Sequence, residues 1–251
     1  MSDALQFYKF KPINKWLIES IVHRTIFAPR PEDLNDPFDC QVNLERVFER
    51  AISLASGEQL DFIKSFYDNK AFIENWKKEI SSKGVYSFSL INSEILSEPL
   101  MWSHYADEHR GVCVEYILPK EFIFENLLAQ DLENGLVVCN SVDYQDNGFV
   151  ECILEAPQDL EGFAEALLRK YLLTKSPSWH YEKEGRLVLR KSGIIKLPKE
   201  SLRRVYFGLR SAESDIELIT ELARTYSGCN SFYKIIKGNG DYEIISKEII
   251  A

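Results

Sequence analysis

The chain has 251 residues, 45% hydrophobic and 27% charged, and its fifteen Phe, twelve Tyr and four Trp can build a sizeable core without staples. A formal net charge of −9 argues against broad binding to a nucleic-acid backbone, although Arg186, Arg190, Lys191, Arg203 and Arg204 are available for a local basic patch. No apolar run approaches the ~20 residues that cross a bilayer, and residues 1–10 lack a basic-then-apolar leader pattern, so a cytoplasmic protein without a membrane partner is expected. In chain order, residues 5–10 alternate like a strand and residues 13–22 carry apolar side chains at helical spacing. Residues 25–28 predict a second short strand, running through Pro29 and Pro31 into the turn-rich Asn35-Asp36-Pro37-Phe38-Asp39.

Two amphipathic helices are expected over 42–56 and 58–81, then an alternating strand over 85–90 with Ser87 and Ser89 on one face. A short helix over 98–107 precedes a strand over 112–117. Strands are expected at 136–144 and 148–154, a helix at 157–174, and a strand at 179–190. The remainder predicts a strand near 205–208, a helix over 211–226, and a strand pair at 232–236 and 242–245. No repeat or linker divides residues 1–251, so the expectation is one α+β domain with one mainly antiparallel β-sheet and helices around it. The five cysteines, Cys40, Cys113, Cys139, Cys152 and Cys229, form no C-x-x-C pair, so free thiols are expected.

Glu182 and Glu184, two apart in the expected strand, would project from one face with Arg186 continuing the row. Paired carboxylates repel, so one tends to hold its proton, and together they suit stabilising an oxocarbenium ion. The same spacing also fits a solvated ladder of Glu and Arg. His104 and His109 are five apart and do not share a helix face as zinc ligands would. Trp102 and Tyr105 are read as packing residues, with His104 or His109 hydrogen-bonding a loop or a ligand. Asp36 and Asp39 hold a sharp loop, or one of them touches a ligand or a neighbouring basic side chain. Phosphate-loop, dinucleotide-binding and nucleophile-elbow patterns are absent from the sequence.

Four segments together resemble the domain-of-unknown-function 2971 family (DUF2971). They are Phe7-Tyr8-Lys9-Phe10; Asn35 to Asp39; Met101-Trp102-Ser103-His104-Tyr105-Ala106 with His109-Arg110-Gly111-Val112-Cys113; and Trp179-x-Tyr181-Glu182-x-Glu184-x-Arg186. That family in turn resembles the ADP-ribosyltransferase superfamily, whose split antiparallel sheet holds NAD in a central cleft. The resemblance implies a first-strand contact at Lys9 or Tyr8, a middle-strand serine at Ser87 or Ser89, and Glu184 as the late-strand catalytic residue with Glu182 beside it. It further implies NAD as substrate; residue type and proximity to the motifs then put phosphate contacts at Arg186 or His109, and stacking on nicotinamide at Trp102 or Tyr86. The implied activity cleaves the nicotinamide–ribose bond and transfers ADP-ribose to a protein or nucleic-acid acceptor, as a toxin or defence effector with room for a neutralising partner. Two other readings fit the same residues. One is a non-catalytic nucleotide- or partner-binding module, and the other a nuclease with Mg²⁺ on Asp36, Asp39, Glu182 and Glu184.

Overall fold

The computed structural model describes residues 4–90, 94–123, 135–146, 148–241 and 243–249. Strand β1 (Ala4–Lys11) leads into helix α1 (Lys15–His23), which starts where the Asn14 side chain accepts hydrogen bonds from the Trp16 and Leu17 amides. Strand β2 (Thr25–Ala28) is followed by α2 (Leu44–Leu54), α3 (Gly57–Asp68) and α4 (Lys70–Ser82). The single helix expected over 58–81 is therefore two. Asn69 interrupts it and uses its side chain to cap α4 through the Phe72 amide.

Strand β3 (Gly84–Leu90), helix α5 (Pro99–Tyr105), strand β4 (Val112–Pro119) and one turn of helix, α6 (Lys120–Phe122), come next. Strands β5 (Leu136–Ser141) and β6 (Asp143–Tyr144) divide the strand expected over 136–144. The strand expected over 148–154 is instead helix α7 (Gly148–Glu155). Its apolar residues Phe149, Val150, Ile153 and Leu154 recur after one turn, and Ile153 is buried, so helical period prevails over the β-branched content. Helix α8 (Leu160–Leu173) runs into β7 (Thr174–Lys175), and a 3-10 segment, Pro177–Glu182, precedes β8 (Glu184–Leu189). Strand β9 (Gly193–Lys196), which the sequence reading did not anticipate, pairs with β2. Strand β10 (Leu202–Phe207), helix α9 (Glu213–Leu222), strand β11 (Phe232–Lys237) and strand β12 (Ile244–Glu248) complete the order. Tyr242, expected to open the last strand, lies outside the described residues.

The fold is α+β around one eight-stranded sheet of order β12-β11-β10-β4-β1-β3-β8-β5, antiparallel except between β10 and β11. It is continuous rather than split, but its weakest seam lies between β1 and β3, held by the pairs Phe7–Leu90 and Tyr8–Ser89. One face carries Phe7, Tyr86, Phe88, Val114 and Leu187 into a core shared with Leu17 and Ile21 of α1 and Ile219 of α9. The opposite face is covered at one end by α2, α3, α4, α7 and α8, and at the other by α5. Charged side chains collect where those two apolar clusters part.

Between α5 and β4 the chain turns through three consecutive left-handed residues, Asp107, Glu108 and His109, and then Gly111 crosses close to β1. A Cβ on Gly111 would overlap the Lys11 carbonyl oxygen and lie 2.9 Å from that of Ala106. Gly111→Ala should destabilise the protein by about 1–3 kcal/mol, because backbone rather than a flexible side chain must yield. Wild-type stability in denaturant titration would contradict this packing.

Candidate functional site

Antiparallel pairing of β3 with β8 sets Ser89 opposite Glu184 and Ser87 opposite Arg186, so all four side chains share one sheet face. Glu182 joins them by another route. It ends the 3-10 segment, and Lys183, with φ of +46°, turns the chain before β8 begins. Strand alternation therefore does not align Glu182 with Glu184, as the sequence reading had it. The left-handed residue between them swings Glu182 inward.

Lys175, just after α8, lies among the carboxylates. Its Nζ donates to Glu182 Oε2 at 2.6 Å and Glu184 Oε2 at 3.1 Å, and lies 3.9 Å from Asp39 Oδ2. Arg186 is 0% exposed; its Nε donates to Glu184 Oε1 at 2.7 Å, its Nη2 to Asp39 Oδ2 at 2.5 Å, and its Nη1 to the Leu172 carbonyl at 2.7 Å. The Tyr105 hydroxyl donates to Glu182 Oε1, and the Glu184 amide donates to the Tyr144 hydroxyl oxygen at 2.7 Å. Lys9 reaches into the β1–β3 seam, where its Nζ donates to the Ser87 carbonyl at 2.5 Å. These groups line a hollow of about 60 Å³ bordered by Tyr8, Lys9, Ser87, Ser89, Tyr105 and both glutamates. That is room for the reacting end of a ligand, not for a whole nucleotide.

The two glutamates are driven apart in acidity. Burial pushes Glu184 up, but Arg186, Lys175 and the hydrogen bond from Ser87 outweigh it and hold its pKa well below the ordinary 4.5. For Glu182 burial dominates and raises the pKa, against Lys175 and Tyr105. Lys9 is lowered by burial, with Glu184 and Glu182 offsetting part of the effect. The cluster thus pairs a carboxylate whose ionised form is favoured with one whose protonated form is favoured, relative to an ordinary glutamate.

The two shifts have opposite linkage signs. Glu184 contributes stability that is present above 4.5 and lost as pH falls toward its depressed folded value. The Glu182 contribution is present below 4.5 and declines as pH rises through its raised folded value. Melting temperature should therefore drop on acidification below pH 4.5, less steeply in Glu184→Gln than in the wild type. Equal slopes would contradict the assignment.

Of the residues expected at the site, Glu182, Glu184, Lys9, Tyr8, Ser87 and Ser89 meet at this hollow. Arg186, Trp102, His109 and Tyr86 do not line it. Arg186 is enclosed and engaged by Asp39 and Glu184, so it offers neither a phosphate grip nor part of a basic patch. Trp102 is fully buried edge-on to Phe10, its Nε1 donating to the Leu96 carbonyl at 2.8 Å. His109 stacks on Trp102 with ring centroids 6.3 Å apart, in the left-handed turn after α5. Tyr86 faces the opposite core beside Phe7 and Phe88. The Trp-Ser-His-Tyr segment instead builds the wall. Trp102 anchors α5, the His104 ring bonds the Tyr181 hydroxyl at 2.9 Å, and Tyr105 reaches Glu182.

Asp39 belongs to the cluster, whereas Asp36 closes an Asx turn by accepting from the Phe38 amide at 2.9 Å. The three carboxylates converge on the Lys175 ammonium, and among the described residues no group of three His, Cys, Asp or Glu is arranged to hold a metal ion. No helix there is long and apolar enough to cross a membrane. Lys175 was missed. Its signal is faint, a lysine in Thr-Lys-Ser-Pro immediately before the glutamate motif, where a helix ends.

Residues 101–187 match the family model described as protein of unknown function (DUF2971). The matched span holds the Trp102 segment and the Glu182–Glu184 motif, while the Phe7–Phe10 and Asn35–Asp39 segments lie before it. No curated protein and no solved structure matches the chain.

Proposed function

From its place in the DUF2971 family, which residues 101–187 carry, we propose that this chain is an ADP-ribosyltransferase-like enzyme acting on NAD. One observation carries the reading: two buried glutamates with oppositely displaced acidities meet Lys9 and the serine strand in one hollow at the weakest seam of the sheet. In the proposed reaction the bond between nicotinamide and ribose breaks, and its electron pair leaves with nicotinamide. Glu184, ionised at all ordinary pH, stabilises the positive charge that develops at the ribose carbon. Glu182 takes the proton from the attacking hydroxyl, amine or water as the new bond to ribose forms. Tyr105 and Lys175 hold the two oxygens of Glu182 in position.

The acceptor in this proposal is a protein or nucleic acid, and the biological role is that of an intracellular toxin or defence effector. Glu182 and Glu184 are only 5% and 3% exposed, so a ligand must reach them through the hollow rather than across open surface. NAD labelled in its nicotinamide tests the reading. The wild-type protein should release free nicotinamide, and a preparation that is folded and releases none would remove the proposal.

A further inference from the structure

We propose that a second, larger cavity beside the glutamate hollow receives the diphosphate and adenosine end of the dinucleotide, with Arg46 and Arg50 gripping the phosphates; the choice of ligand rests on the NAD reading above. The cavity measures about 350 Å³, in the range of small-molecule sites, ~300–1,000 Å³. It shares Asp39 and Lys175 with the glutamate hollow, so the two spaces adjoin at these residues. A ligand with its reacting end over Glu182 would extend past those two residues into it.

Arg46 and Arg50 are four apart on α2 and both line this cavity, as residues one turn apart on a helix do. Both are exposed, and among the described residues no ion pair engages either guanidinium. Two guanidinium forks so spaced suit the oxygens of a diphosphate, which they bind in bidentate fashion. Phe38, at the rim, is 85% exposed and is held out by the Asx turn on Asp36. An aromatic face displayed in this way suits stacking by a purine. Tyr171 supplies apolar wall behind it. Two further carboxylates, Asp36 and Asp146, also line the cavity. They suit ribose hydroxyls, which donate to carboxylates, and they weaken the attraction for phosphate alone. The site therefore calls for a nucleoside diphosphate and not for a bare polyanion.

ADP-ribose, which keeps both riboses and the diphosphate but has no nicotinamide to lose, probes the cavity without reaction. Isothermal titration calorimetry should show it binding the wild-type protein. Arg46→Ala and Arg50→Ala should each weaken binding about tenfold or more, with unchanged circular dichroism because both side chains are exposed. Absence of wild-type binding, or an Arg46→Ala/Arg50→Ala double variant that binds normally, overturns the inference. Arginine-dependent binding in a protein that releases no nicotinamide from NAD upholds the cavity while removing the transferase reading. Nicotinamide release with ADP-ribose affinity indifferent to the double variant does the reverse.

Discussion

Arg186→Met should cost about 3–5 kcal/mol of stability, the largest loss expected from a single side chain, because it strands buried charge. The guanidinium is wholly enclosed and its nitrogens donate to Asp39, to Glu184 and to the Leu172 carbonyl. Met fills much of the same volume but returns none of those hydrogen bonds. Lys175 would remain, 3.1 Å from Glu184 but 3.9 Å from Asp39, as the nearby cation shown for both. For a chain of this size the loss corresponds to a fall in melting temperature on the order of 10 °C. Arg186→Lys keeps the charge without the planar fork and should fall between the two. Placed in an Asp39→Asn background, Arg186→Met should cost less than alone, since one stranded carboxylate is gone. Denaturant unfolding decides the matter: a Met variant within about 1 kcal/mol of wild type, an ordinary surface-like effect, would mean the network carries little.

Much of this arrangement is legible in the sequence, and the parts that are not share a cause. Alternating segments such as Gly84–Leu90 and Val112–Pro119 are strands because their period-two pattern meets a core on at least one face. Gly148–Glu155 misled because four of its eight residues are large and apolar, which suits either element in so short a run. The glutamate pair was found for an incomplete reason. Spacing of two suggested a shared strand face, whereas a single left-handed residue at Lys183 brings Glu182 in from a turn. Arg186, Trp102 and His109 were assigned to ligand by residue type, yet type says nothing of enclosure. Burial of Arg186 depends on Asp39 and Leu172 arriving from distant parts of the chain. Lys175 escaped for the same reason: only tertiary structure carries its ammonium to Glu182 and Glu184. Local pattern thus located the motif, and long-range packing decided which of its members face the hollow.

Glu182→Gln is the substitution that separates chemistry from architecture. If Glu182 is the base of the proposed reaction, the amide should lower NAD turnover by about 10²- to 10⁴-fold with little change in KM. The fold should survive. Gln keeps an oxygen for either Lys175 or Tyr105, and the mismatch at the other position costs about 1–3 kcal/mol. The pH profile adds a readout that a structural role would not move. Glu182 must be ionised to accept a proton, and its pKa is raised by burial, so wild-type kcat/KM should climb along an acid limb centred above 4.5. In the Gln variant that limb should vanish, because Glu184 is already ionised throughout and has no proton to lose in this range. Turnover by the variant within a few fold of wild type would remove Glu182 from the reaction. A variant that is slow but keeps the same acid limb would show that another group titrates.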